Sequence, residues 1–154
     1  MDGRLALYGF NRDLEPRSRL GFGKDGTVWL SSAFTAIKVF GSPLPYQTER
    51  DVYLRLSSAA VQRIAGHAVP QLVGWDDQIG VIEMTVVRPP FVLDFAGASL
   101  DAAPDFPEDV LAEWLAEKRE QFGDDWPSAA AVITGLARVG VHMLDVHPGN
   151  IRAR

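Results

Sequence analysis

Three glycines at a fixed pitch constrain this chain more than any other feature. The run Leu20-Gly21-Phe22-Gly23-Lys24-Asp25-Gly26-Thr27-Val28 spells G-x-G-x-x-G-x-V. The β-formers Val28, Leu30, Ile37 and Val39 follow it, and Asp25-Gly26 is a hairpin signal. Residues 17–40 therefore read as a three-stranded meander. In dinucleotide-binding folds such a glycine pattern leads from a strand into a helix. Here strands flank it on both sides, which excludes that reading. Two readings remain. One is a plain tight turn. The other is a loop that closes over a ligand, since glycine leaves no side chain in the way.

The rest of the chain is uneven. Pro43 and Pro45 predict a loop after the meander, and Val52, Leu56 and Ala59 predict a helix from about Tyr46 to Ala60. Strands are expected near Gln71–Trp75 and Gly80–Val87, joined by Asp76-Asp77-Gln78, with Arg88-Pro89-Pro90 ending the second. Asp105 is the expected cap of a helix that Gly123 stops, and a second helix starts at Trp126-Pro127-Ser128 and ends at Gly140. The last segment reads as a short apolar strand followed by a loop. At 154 residues without a repeat, the chain fits one domain spanning 1–154. It has no cysteine, so disulfides, thiolate zinc sites and thiol catalysis are excluded. Its net charge of −5 argues against nucleic acid as a partner. No apolar run is long enough to span a membrane, and the start lacks a signal-peptide core. A cytoplasmic location is the expectation.

Chemistry concentrates at three further places. Lys38 lies within the apolar strand Thr35-Ala36-Ile37-Lys38-Val39-Phe40, where an ammonium needs a partner or an edge position facing water. Glu49 is the candidate partner, because Tyr53 and Leu56 share its helical face; Asp51 is the rival. Asp145-Val146-His147-Pro148-Gly149-Asn150 sets a carboxylate five residues before an amide in a loop-forming context. His142, Asp145 and His147 form an alternative zinc-type cluster. The charged runs Glu117–Glu120 and Asp124-Asp125 read as solvated surface, and Trp29, Trp75, Trp114 and Trp126 read as packing residues.

Together these motifs resemble the protein-kinase-like fold, in particular its bacterial, aminoglycoside-kinase-like branch, whose catalytic loop reads H-x-D-x-H-P-x-N. The resemblance covers about residues 17–151. It implies an α+β protein: a five-stranded antiparallel small lobe (17–87), then a hinge, two helices and a catalytic-type loop (88–154). It implies ATP as ligand beneath Gly21, Gly23 and Gly26, with Val28 and Ala36 on the adenine face. Met84 would guard the back of the pocket, and Thr85, Val86 and Val87 would offer backbone groups to the adenine edge. Lys38 and Glu49 would act on the phosphates, Asp145 would be the base, and Asn150 would hold Mg²⁺.

The departures are also plain. Met143-Leu144 stands where the family often has His-Arg, and no Asp-Phe-Gly follows Asn150. Asp94-Phe95-Ala96-Gly97 has that spelling but precedes the catalytic-type loop, so it is expected to be an unrelated loop. Mg²⁺ binding is then expected to be weak or absent, and phosphoryl transfer slow or absent in a reduced lobe. The alternative is a pseudokinase-type binding or scaffold module acting through a protein partner. Helices 108–122 and 127–139 are expected to expose an apolar face, implying a homo-oligomer or a protein partner.

Overall fold

The computed structural model describes residues 2–154. In chain order the elements are α1 (Gly3–Arg12), β1 (Pro16–Phe22), β2 (Gly26–Ser31), β3 (Thr35–Phe40), α2 (Pro43–Ser58), β4 (Arg63–Ile64), β5 (His67–Ala68), β6 (Leu72–Asp76) and β7 (Val81–Thr85). There follow β8 (Phe91–Val92), β9 (Ser99–Leu100), α3 (Glu108–Phe122), α4 (Trp126–Arg138), β10 (Val141–His142) and β11 (Ile151–Arg152). No helix among the described residues is long and apolar enough to cross a membrane.

The fold is α+β, as expected. Its centre is a five-stranded antiparallel sheet in the order β1-β2-β3-β7-β6. Strand alternation explains why β3 is buried along nearly its whole length. Ala36 and Phe40 face α2 and the larger core, as do Ile82 and Met84 of β7. Ile37, Val39 and Val81 face the other way, onto Leu5 and Tyr8 of α1. The sheet is thus covered on both faces, and Lys38 sits on the α2 side.

Helix α1 is absent from the sequence reading. Asp2 caps it, its carboxylate accepting the Arg4 N–H at 2.9 Å. Its inner face also brings a polar group to the sheet. Glu83 of β7, 2% exposed, accepts from the Tyr8 hydroxyl at 3.0 Å, the Thr35 hydroxyl at 2.6 Å and Arg12 at 3.4 Å. Gly74 of β6 makes room for this contact, because a Cβ there would overlap Arg12 and the Tyr8 hydroxyl.

Several local expectations shift. Pro43 and Pro45 do not form a loop. They occupy the first turn of α2, where a missing N–H costs nothing. Helix α2 ends at Ser58, and the following residues turn into the β4–β5 hairpin. Asp105 does not cap α3: Pro107 holds the cap position and no side chain bonds there. Trp75 is 43% exposed, whereas Trp29, Trp114 and Trp126 pack against the cores.

The apolar face expected on the second helix is not left bare. Ala129, Val132 and Leu136 of α4 are buried in the larger core with Ile64, Val92, Val141 and Ile151 of the same chain. Of the two helices α3 and α4, α3 shows part of its apolar side, at Val110 and Leu111. Burial of α4 within the chain leaves the expectation of a partner to the exposed part of α3.

Candidate functional site

A cleft of about 620 Å³ lies between the β1–β2 turn and the loop after β10. The sequence-derived candidates line it together: Gly21, Gly23, Gly26, Val28, Ala36, Lys38, Glu49, Met84, Thr85, Val86, Val87, Asp145 and Asn150. The roof is the glycine turn, closed by the Gly23 N–H donating to the Gly26 carbonyl at 2.9 Å. A Cβ on Gly26 would collide with the Val39 backbone, so this glycine serves the β2–β3 pairing. Gly21 and Gly23 have open space where a Cβ would lie, so packing does not require them.

Lys38 is the centre of the floor. Its ammonium donates to Glu49 Oε2 at 2.6 Å and to Asp94 Oδ1 at 3.3 Å. Glu49 is placed by α2, whose inner face also carries Tyr53 and Leu56 into the core. Asp51, the rival, turns away to Arg50 at 2.7 Å. Burial alone would lower the Lys38 pKa, but Glu49 and Asp94 outweigh it and raise it. Burial raises the Glu49 carboxyl to about 7 against the pull of Lys38. The lysine is therefore held as a cation.

Asp94 is the residue the sequence reading set aside, and the structure puts it in the cleft. Two neighbours place it there. Phe95 is fully buried and packs edge-on against Tyr53, with ring centroids 5.6 Å apart. On the other side, β8 pairs antiparallel with β11, and the Leu93 N–H donates to the Asn150 carbonyl at 2.7 Å. Asp94 itself has φ 65°, a left-handed conformation that Asp tolerates better than most residues. The carboxylate thus arrives from a segment before α3 and α4. Chain order hid it. The signal that could have found it is the β-forming triplet Phe91-Val92-Leu93, a match for the strand after Asn150.

The 145–150 loop is pinned from below by Val146 and Met143, both buried. It folds back on itself: the His147 carbonyl accepts the N–H groups of Asn150 at 3.0 Å and Ile151 at 3.1 Å. Asn150 is buried, and its amide donates to the Asp145 carbonyl at 3.0 Å and to Asp145 Oδ2 at 3.4 Å. The Gly149 N–H donates to His147 Nδ1 at 3.1 Å, and His147 Nε2 lies 3.9 Å from Asp145 Oδ2. His142 belongs to β10 and pairs with Ser99.

At the back, the Tyr53 hydroxyl approaches Met84 Sδ at 3.2 Å. Thr85 ends β7 at the cleft. Its N–H goes to the Gln71 carbonyl at 2.9 Å, and its hydroxyl accepts the Gln71 N–H at 2.8 Å. Its N–H therefore serves the sheet, and Val86 and Val87 follow β7 along the cleft.

The charges of the lining are unbalanced. Lys24 and Lys38 face Asp25, Glu49, Asp94 and Asp145. A polyphosphate would enter such a cleft against net negative charge unless a cation accompanied it. The donors Asp94, Asp145 and Asn150 are all oxygen donors, which suits Mg²⁺. Among the described residues, no group of three or more His, Asp or Glu is disposed to hold an ion unaided. That includes the zinc-type cluster suggested by His142, Asp145 and His147. An ion here would need oxygens from water or a ligand to complete its shell.

No family model matches the sequence. No curated protein matches it either. Among solved structures, the streptomycin–ATP–APH(2'')-IIa ternary complex is similar at 11% identity and a TM-score of 0.47, over 88% of this chain and 41% of that one. The ADP-bound aminoglycoside phosphotransferase APH(2'')-Ib is similar at 12% identity and a TM-score of 0.47, over 97% of this chain and 42% of that one. The chain spans about two fifths of the length of either.

Proposed function

We propose that the chain binds ATP with Mg²⁺ and transfers the γ-phosphoryl group to an acceptor hydroxyl. The observation that carries this reading is the bridging of Glu49 and Asp94 by Lys38, in the cleft that Asp145 and Asn150 also line. Lys38 grips the phosphates and Glu49 fixes its ammonium. Val28 and Ala36 cover the adenine, and Val86 and Val87 offer backbone groups to its edge. Asp145 accepts the proton of the attacking hydroxyl. Asp94 and Asn150 would hold the cation, which would supply charge neutralisation at the phosphates. With Asp94 in this role, the expectation of feeble transfer for want of a metal carboxylate loses its ground.

Calorimetric titration tests the reading. ATP with Mg²⁺ should bind, ATP with chelator should bind at least about tenfold more weakly, and Mg²⁺ alone should give no heat. ATP binding unaffected by chelator would favour the nucleotide-binding pseudokinase alternative. No binding of ATP or adenosine would overturn the nucleotide reading. A phosphate-release assay on wild type and Asp145→Ala then tests the base.

A further inference from the structure

We propose that Arg55 and Asp101 are positioning residues: their ion pair holds Glu49, Asp94 and Asp145 in one mutual arrangement. The proposal rests on the nucleotide reading of the cleft for its purpose, but on independent geometry for its existence. Arg55 lies in the last turn of α2, six residues past Glu49. Its guanidinium grips the Asp101 carboxylate through both oxygens, each at 2.7 Å. The same guanidinium donates to the Val139 carbonyl at the end of α4, at 3.1 Å.

Three segments therefore meet at one side chain, and each leads to a cleft group. Asp101 follows Asp94 by seven residues through β9. Val139 precedes Asp145 by six residues through β10. β9 and β10 pair with each other, and the Asp101 N–H donates to the Gly140 carbonyl at 2.8 Å.

The backbone is shaped around this contact. Asp101 has φ 61° and Gly140 has φ 79°. A Cβ on Gly140 would come within 2.5 Å of both the Arg55 guanidinium and the Asp101 carboxylate. An exposed ion pair contributes little stability by itself. A bidentate pair does fix orientation, because the planar fork admits one approach. Its consequence is geometric: without it, α2 can shift relative to the two loops that face Lys38.

The test uses the full chain as wild type, Arg55→Ala, Arg55→Lys and Asp101→Asn. Asn keeps the left-handed backbone at 101, and Lys keeps the charge without the fork. Amide hydrogen exchange without ligand should speed up about tenfold at 94–97 and 145–150 as well as at the clamp, because local opening follows lost anchoring. Affinity for ATP with Mg²⁺ should fall about five- to tenfold, with adenosine affinity unchanged and Arg55→Lys intermediate. Faster exchange confined to 99–101 and 139–142, with unchanged ATP affinity, would overturn the proposal. If the wild type binds neither ATP nor adenosine, the nucleotide reading fails and exchange alone decides the clamp. Should Arg55→Ala not fold, Arg55→Lys and Asp101→Asn carry the same comparison.

Discussion

Lys38→Met is the sharpest perturbation of the site, and its cost follows from burial. Glu49 is 1% exposed, and Lys38 supplies the only described hydrogen bond to its carboxylate. Removing the lysine strands a buried carboxylate, which costs about 3–5 kcal/mol in comparable cases. The cleft admits water near Asp94, so about 3 kcal/mol is the expected loss at pH 8. Glu49→Gln should cost less, about 1–2 kcal/mol, because Lys38 keeps Asp94 at 3.3 Å. The double variant should recover much of the loss, giving a coupling of about 3 kcal/mol.

The pH dependence has a definite sign. Glu49 titrates near 7 when folded, against 4.5 for a free glutamate. A raised carboxyl pKa contributes stability below pH 4.5 that is lost as pH climbs through the folded value. Without Lys38 the folded value rises further, so Lys38→Met should lose only about 1 kcal/mol at pH 5. Urea denaturation of the four proteins at pH 5 and pH 8 reads this directly. A Lys38→Met loss that is equal at the two pH values would refute the argument, as would a double variant no more stable than Lys38→Met.

Three other outcomes are expected. Asp94→Asn should abolish most of the Mg²⁺ dependence of ATP binding, a change of about tenfold by calorimetry, while leaving adenosine affinity intact. Gly26→Ala should cost about 1–3 kcal/mol, because backbone at Val39 cannot yield, whereas Gly21→Ala should leave the melting temperature nearly unchanged and weaken ATP binding. Glu83→Gln should cost about 1–3 kcal/mol by denaturation, because an amide puts an N–H₂ among the donors Tyr8, Arg12 and Thr35.

Much of this was legible in the residues. The meander and the inward face of Glu49 follow from strand and helix period, whereas a paired Lys38 and the convergence of Asp145 and Asn150 on the glycine turn were implied by the kinase-like resemblance of the motifs. Three features did not show, each for a physical reason. Helix α1 has ten residues, too few to stand alone, and its inner face of Leu5 and Tyr8 is completed only by Ile37, Val39 and Val81 of the sheet. The prolines at 43 and 45 spell a loop locally, but the first turn of a helix has no use for their missing N–H groups. Asp94 depends on a strand pairing between residues about sixty apart in the chain, which local pattern cannot report.

The β8–β11 pairing also bears on how the chain is made. All five strands of the central sheet lie within residues 16–85, so that sheet can close while the remainder is still being synthesised. Strand β8 meets β5 early, but its other edge has no partner until residue 151 emerges. Throughout that interval Phe91 and Val92 present an open apolar edge, the kind of surface that nascent chains lose to aggregation. A ribosome stalled short of residue 151 would hold a chain with its sheet formed, Asp94 held only through Phe95 and Lys38, and that edge available to chaperones.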